Sequence, residues 1–510
     1  MKKLRLLLGD QLNAKHSWFK EKNENTIYLM AEMRQETDYV KHHIQKVVAF
    51  FLSMRNFAEA IEKAGHQIVY FTISDPKNLQ KLEKIIAQVI EEKQIEKLEY
   101  QLPDEFRLDQ QLKEICTNLK INSEAFDTEH FYTTRTELAT FFSGKKILLM
   151  ENFYRMMRKK HHILVINDQP LGGKWNYDHK NRNKYNEEIT IPKPLLCQKD
   201  VTKLVEEIEK AGVKTFGSID VANFPWPTNR KESLSLLTYF CENLLKHFGA
   251  FQDALYSKDS FLFHSRLSFA MNSKMISPKE VVDTVINYYK KNRDTIDIAQ
   301  IEGFVRQIIG WREYVRGIYW KEMPKYATLN TLENYNKLPD FYWTGKTKMK
   351  CMQHSLYQSL NEAYAHHIQR LMVIGNFSLL TQLHPDAVDA WYLGVYIDAI
   401  EWVELPNTRG MSQYADGGIL ATKPYVSSGS YIHKMSNYCK ECHYDVKDKL
   451  GKNACPFNSL YWNFLDDKKE HFKNNPRMAM MIALLEKIKS EELSKIKEKA
   501  QNIIENPDAY

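Results

Sequence analysis

The chain has 510 residues, enough for two or three domains around a large core. Its 43% hydrophobic and 26% charged residues are the balance of a soluble globular protein, and no apolar run approaches the roughly 18 residues of a membrane helix. A net charge of +7, from 71 basic and 64 acidic side chains, permits a polyanionic partner without demanding one.

The N-terminal stretch MKKLRLLLGDQLN lacks the apolar core and cleavage site of a signal peptide and reads as a strand, so a cytoplasmic protein is expected. Strand-like and helix-like segments then alternate: KLRLLLGD, TIYLMAEM, a helix from about Val40 to Ala64, HQIVYFTI, a helix near Leu79 to Glu92, and KLEYQLP. That rhythm predicts an α/β domain with a doubly wound parallel sheet over residues 1–132. Ligands of such sheets bind at the carboxyl ends of strands, where Gly9, Asp10, Glu32, Arg34 and Glu36 fall. No G-x-G-x-x-G follows the first strand, and by pattern alone Asp10 and Glu36 also suit capping or surface positions.

Polar, proline-containing text fills 133–227, notably PLGGKWNYDHKNRNKYNEEITIPKP, and reads as a long connecting loop. Trp175, Tyr177 and Tyr185 alternate there with Lys174, Lys180, Arg182 and Lys184, downstream of the basic run RMMRKKHH. Basic groups neutralise phosphates while aromatic faces stack on exposed bases, although a solvated linker has the same composition.

Helices dominate residues 228–510. In SFLFHSRLSFAMN, His264, Ser265, Leu267 and Ser268 stand at a helix start that suits either a phosphate or simple capping. Glu302, Arg306, Trp311, Arg312 and Arg316 interleave with an apolar helix face, where charges need each other or a ligand as partners. The run NEAYAHHIQRLMVIGNF predicts one buried helix carrying His366 and His367, whose side chains would point about 100° apart. Downstream, Trp391, Tyr392, Asp398, Glu401, Trp402, Glu404 and Asn407 lie in apolar text, and acids beside redox-capable aromatics point to a site. Of seven cysteines, Cys439, Cys442 and Cys455 cluster, and Cys351 could supply a fourth ligand from another helix. Thiols so grouped in a cytosolic protein read as a metal centre, and four thiolates suit zinc or a 4Fe–4S cluster alike.

Taken together, GDQL at Gly9, GGKWNYD at Gly172, HSRLSF at His264, EGFVRQIIGWREYVRG at Glu302, FYWTGKT at Phe341, AYAHHIQRLMVIGNF at Ala363, EWVELPN at Glu401, GMSQYADGG at Gly410 and the cysteine set resemble the photolyase and cryptochrome family, most closely its bacterial iron–sulfur branch. The resemblance implies an N-terminal antenna domain, a connecting segment, and an all-α C-terminal domain that binds FAD. It implies a light-dependent repair enzyme for (6-4) photoproducts, acting on UV-damaged DNA as a monomer. Residue by residue it implies catalytic roles for His367 and His366 with Tyr425 and Met411 lining the pocket, and FAD contacts at Ser265, Leu267, Ser268, Glu302, Arg306, Asp398, Glu404 and Asn407. It further implies an electron relay of Trp343, Trp391 and Tyr392, with Ile400 where some relatives carry Tyr, and DNA contacts at Trp175, Tyr177, Asp178 and Arg182. A cluster on Cys351, Cys439, Cys442 and Cys455 and a 6,7-dimethyl-8-ribityllumazine antenna near Asp10 and Glu36 complete the set. A blue-light receptor of the same architecture, and a light-independent nucleic-acid-binding zinc protein, are the competing readings.

Overall fold

The computed structural model describes residues 1–145 and 147–510. Five strands, β1 (Lys3–Leu6), β2 (Thr26–Ala31), β3 (Gln67–Phe71), β4 (Lys97–Gln101) and β5 (Asn122–Phe126), form one parallel sheet. Their spatial order is β3-β2-β1-β4-β5, so the chain starts at the centre and winds outward to both edges. The order reverses between β1 and β4, and their carboxyl ends therefore diverge into a crevice.

The two faces of the sheet bury different things. On one, Leu4, Leu6, Leu29 and Leu98 pack against α2 (Leu82–Lys93) and α3 (Phe106–Asn118) in a small closed core. On the other, Tyr28 and Met30 meet α1 (Ile44–Lys63), whose apolar stripe of Val47, Phe51, Met54 and Ile61 belongs to the same core as the helical domain. That shared core fixes the sheet's ligand crevice relative to the helices beyond it.

The segment 133–227 is more ordered than its composition foretells. Helices span Arg135–Phe142, Met150–Lys160 and Thr202–Lys210, and RMMRKKHH mostly lies in the second of them. Thr134 and Glu137 close a reciprocal capping box, and Arg158, Lys159 and Lys160 sit in a last turn whose dipole favours cations. Irregular backbone fills most of 161–201 and 211–227.

From Arg230 the chain is helical, and among the described residues four stretches wind into π-helix: Phe240–Leu244, Arg306–Arg312, Gln369–Gly375 and Pro406–Ser412. Such stretches bulge a helix and recur at functional sites. Here the last two bring Gly375 against Ser412 so closely that a methyl on Gly375 would stand 2.0 Å from the serine Oγ. Among the described residues no helix is long and apolar enough to cross a membrane.

Candidate functional site

The paired histidines do not share one helix. The helix Lys350–Glu362 ends at Ala363, whose φ of 50° is left-handed, and helical turns resume only at His367. His366 caps the new helix: its N–H donates to Gln369 Oε1 at 3.1 Å, and its carbonyl accepts from the Arg370 N–H at 3.2 Å. The break corrects the expectation of a continuous helix, and it separates the two rings. His366 is buried at 3% exposure, whereas His367 is exposed. Arg266 (φ 55°) and Lys274 (φ 65°) also take left-handed backbone nearby, the kind of local strain that collects at functional sites.

Arg370 ties this corner together. Its guanidinium stacks 3.8 Å over Tyr396, donates to the Ala365 carbonyl at 2.7 Å and pairs with Asp398 at 3.0 Å. Burial alone would raise the Asp398 carboxyl, but Arg370 and the Ser268 hydroxyl hold it below the usual carboxylate range. Asn272 Nδ2 donates to the Asp398 carbonyl at 2.7 Å, so the HSRLSF segment and the Asp398 loop meet. Burial, then Asp389, pushes Glu404 well above an ordinary glutamate, and its carboxyl accepts from the Thr408 hydroxyl. Asn407 donates to the Val403 carbonyl at 2.6 Å, Met411 is buried and Tyr425 half-buried. Gln413 Oε1 is shielded from solvent and has no hydrogen-bond partner within the protein, although buried polar atoms are normally satisfied. An orphaned buried acceptor of this kind fits a polar cofactor such as FAD.

Trp391 and Tyr392 are in ring contact at 5.4 Å. Trp343 stands apart from them: 41% exposed, it packs on Phe216 at 5.1 Å, and its neighbour Tyr342 is the ring that touches Trp391, at 5.3 Å. The Tyr392 hydroxyl donates to the Arg370 carbonyl at 2.6 Å, linking this aromatic group to the histidine corner.

At the sheet's switch point lies a cavity of about 130 Å³, and both Asp10 and Glu36 line it, with Lys46, Glu105, Phe50 and Ile400. Glu36 forms a bidentate pair with Arg107, at 3.1 and 2.7 Å. Asp10 accepts from Lys274 at 2.8 Å, and Lys274 also reaches Asp104 at 2.7 Å. Lys46 donates to the carbonyls of Leu393 (2.7 Å) and Ala399 (2.8 Å), on either side of Asp398. Burial lowers Lys46 to about 8, against the pull of nearby acids. Sequence reasoning passed over Lys46; a lysine between Ile44 and Val47 on an apolar stripe was the available signal.

Of the basic and aromatic loop, Trp175 is half-buried and surrounded by Arg155, Arg158 and Lys159 at 5.1–5.7 Å, and Arg182 is exposed. Tyr177 differs from the expected base-stacking residue, because its ring is 5% exposed and its hydroxyl donates to the Gly172 carbonyl at 2.7 Å. Glu302 and Arg306 anchor this loop: Glu302 accepts from the Tyr177 N–H (2.9 Å), the Tyr154 hydroxyl (2.9 Å) and Arg306 (3.2 Å), and Arg306 also reaches Asp178 at 3.2 Å. Their charges are matched within the protein.

Cys351, Cys439, Cys442 and Cys455 converge on one small cavity beside Gly429, Tyr438 and Tyr444. A methyl on Gly429 would stand 2.8 Å from Cys455 Sγ, so the missing side chain is what lets the thiol in. Burial first, then the neighbouring thiols, raises Cys351 well above an ordinary cysteine. Yet among the described residues no three of these or other His, Cys, Asp or Glu side chains are close enough to hold one metal ion.

A family model described as deoxyribodipyrimidine photo-lyase-related protein matches residues 5–224. A (6-4) photolyase of Agrobacterium fabrum is 41% identical over 487 residues, 95% of each chain. An uncharacterised protein of Acanthamoeba polyphaga mimivirus is 32% identical over 107 residues, 21% of this chain and 80% of its own. Among solved structures, a bacterial class III photolyase from Agrobacterium tumefaciens matches with a TM-score of 0.56 and 14% identity, covering 96% of this chain and 98% of that one. A Synechocystis cryptochrome matches with a TM-score of 0.57 and 13% identity, covering 96% and 99%.

Proposed function

The chain belongs to the photolyase and cryptochrome family, and from that premise we propose that it is a (6-4) photolyase, which uses light to reverse (6-4) pyrimidine photoproducts in DNA. The likeness over 95% of both chains to a (6-4) photolyase carries this reading. Bound FAD supplies the light absorption and the electron. This chain's residues do the rest. Ser265, Leu267 and Ser268 would hold the phosphates, while Asp398, fixed by Arg370, and Glu404 with Asn407 would orient the ring system. A lesion base must leave the duplex stack to be reached. His367, open to the site, would hold the proton that lets a hydroxyl move between the pyrimidines, with His366 behind it and Tyr425 and Met411 along the wall. Trp391 and Tyr392 would return electrons, and Trp175, Asp178 and Arg182 would form the rim toward DNA.

The cysteine centre is read as a 4Fe–4S site. Four thiols that line one cavity support this reading, since a 4Fe–4S cluster is held by four thiolates. The acid-lined cavity of the sheet is read as the ribityllumazine antenna site, for a small heteroaromatic ligand whose hydroxyls can bond to Asp10 and Glu36.

The test is conversion of a (6-4) oligonucleotide by the purified, reduced protein under blue light. His367→Ala should lower the rate at least about a hundredfold while flavin absorption stays, since general acid catalysis is worth roughly 10²–10⁴. If the wild-type protein leaves the oligonucleotide unconverted, the repair reading fails and a receptor takes its place.

A further inference from the structure

The ring of His264 lies parallel to that of His366, with centroids 4.7 Å apart and planes 12° off, and Phe248 closes its edge at 5.9 Å. A buried imidazole usually owes its orientation to a hydrogen bond at one ring nitrogen. Within the protein, His366 Nδ1 has no such partner, and its hydrogen bonds run through the backbone N–H and carbonyl. The protein ring stacked on the imidazole is His264.

We propose that His264 is a positioning residue for repair: stacked on His366, it fixes that imidazole at the start of the helix that presents His367, and so keeps the open ring of His367 aimed into the site. The activity arm of this proposal rests on the photolyase reading. The titratable groups around the stack are His367 and Arg370, the latter paired with Asp398, and burial keeps all three histidines below an ordinary histidine, with Arg370 pressing His367 the same way.

Two substitutions in the FAD-loaded full chain separate the stack from the nitrogens. His264→Phe keeps a flat ring and should repair within about twofold of the wild type. His264→Leu removes the ring and should lower the repair rate at saturating lesion DNA by about three- to tenfold, the size expected for one aromatic pair, with flavin content and lesion affinity unchanged. In the dark, ring-labelled histidine NMR should give one His366 signal in the wild type and in His264→Phe, and a broadened or split one in His264→Leu. Wild-type repair and a single His366 signal in His264→Leu would overturn the proposal. So would an equal loss in both variants, which makes the nitrogens the operative groups, or loss of flavin from both, which makes His264 a cofactor-binding residue. A wild-type protein without repair activity would remove the photolyase reading alone, because the dark NMR comparison still decides whether the stack orients His366.

Discussion

Glu105 shows how the cavity at the switch point stores a proton. It is buried at the switch point, accepting from Arg107 at 3.1 Å and from the Glu401 N–H at 3.3 Å. Burial, then the Glu401 charge, outweighs Arg107, whose guanidinium already grips Glu36, and the carboxyl is raised to about 7 from 4.5. Between those values the folded chain keeps a proton that the unfolded chain has released, so stability falls as pH climbs from about 4.5 through 7. Urea unfolding of protein with no ligand in this cavity should show the wild type losing about 1–3 kcal/mol over this window relative to Glu105→Gln, with the two alike near pH 4.5. Parallel curves for the two proteins would mean that Glu105 does not carry the proton. Asp10 and Glu36 were legible because a strand end in a doubly wound sheet announces its ligand side. Glu105 was not, since PDEF reads only as the end of a strand, and nothing local reveals that Glu401 arrives nearly three hundred residues later to press on it.

At the scale of elements, periodicity foretold what periodicity controls. Strands β1 to β4 and helices α1 and α2 follow the alternation read from the sequence, whereas β5, NSEAF, is a short polar edge strand with no apolar signature. The histidine helix was misread because its apolar spacing runs on through a break made by one left-handed backbone angle at Ala363, an alanine that carries no such signal. That Cys439, Cys442 and Cys455 line one cavity with Cys351 was legible in their clustering along the chain. Their cradle was not: Gly429 opens the helix Gly429–Met435, and only the fold reveals that Cys455 occupies the place of its side chain. Gly429→Ala should therefore displace the thiol, with the methyl also 3.0 Å from Val446, and overpacking of this kind costs about 1–3 kcal/mol. On the 4Fe–4S reading proposed above, the expected outcome is purified protein with reduced iron content and weaker brown absorption while flavin is retained. Full iron occupancy would show that the cradle yields without cost to the site.

For the whole molecule, size alone argues for separable units, since chains beyond about 150 residues commonly unfold through intermediates. The interface between sheet and helices argues the other way. One face of the sheet shares its apolar core with the helical domain, and two buried lysines cross the boundary. Lys46 of α1 holds the carbonyls of Leu393 and Ala399, and Lys274 of the helical domain joins Asp10 and Asp104 at the ends of the central strands. Lys274 is fully buried, so its removal would leave Asp10 and Asp104 facing each other without their shared ammonium, with only the charges of Arg316 and Arg135 still acting on Asp104. Breaking a buried pair in this way costs about 3–5 kcal/mol. Hydrogen exchange locates that cost. If sheet and helices open as one unit, Lys274→Met should lower protection by the same free energy in β1 and in the helix Pro385–Val395, which carries Trp391 and Tyr392. If β1 alone loses protection, the sheet opens by itself, and changes in its cavity would then be insulated from the helices rather than transmitted through Lys46 to the Asp398 loop.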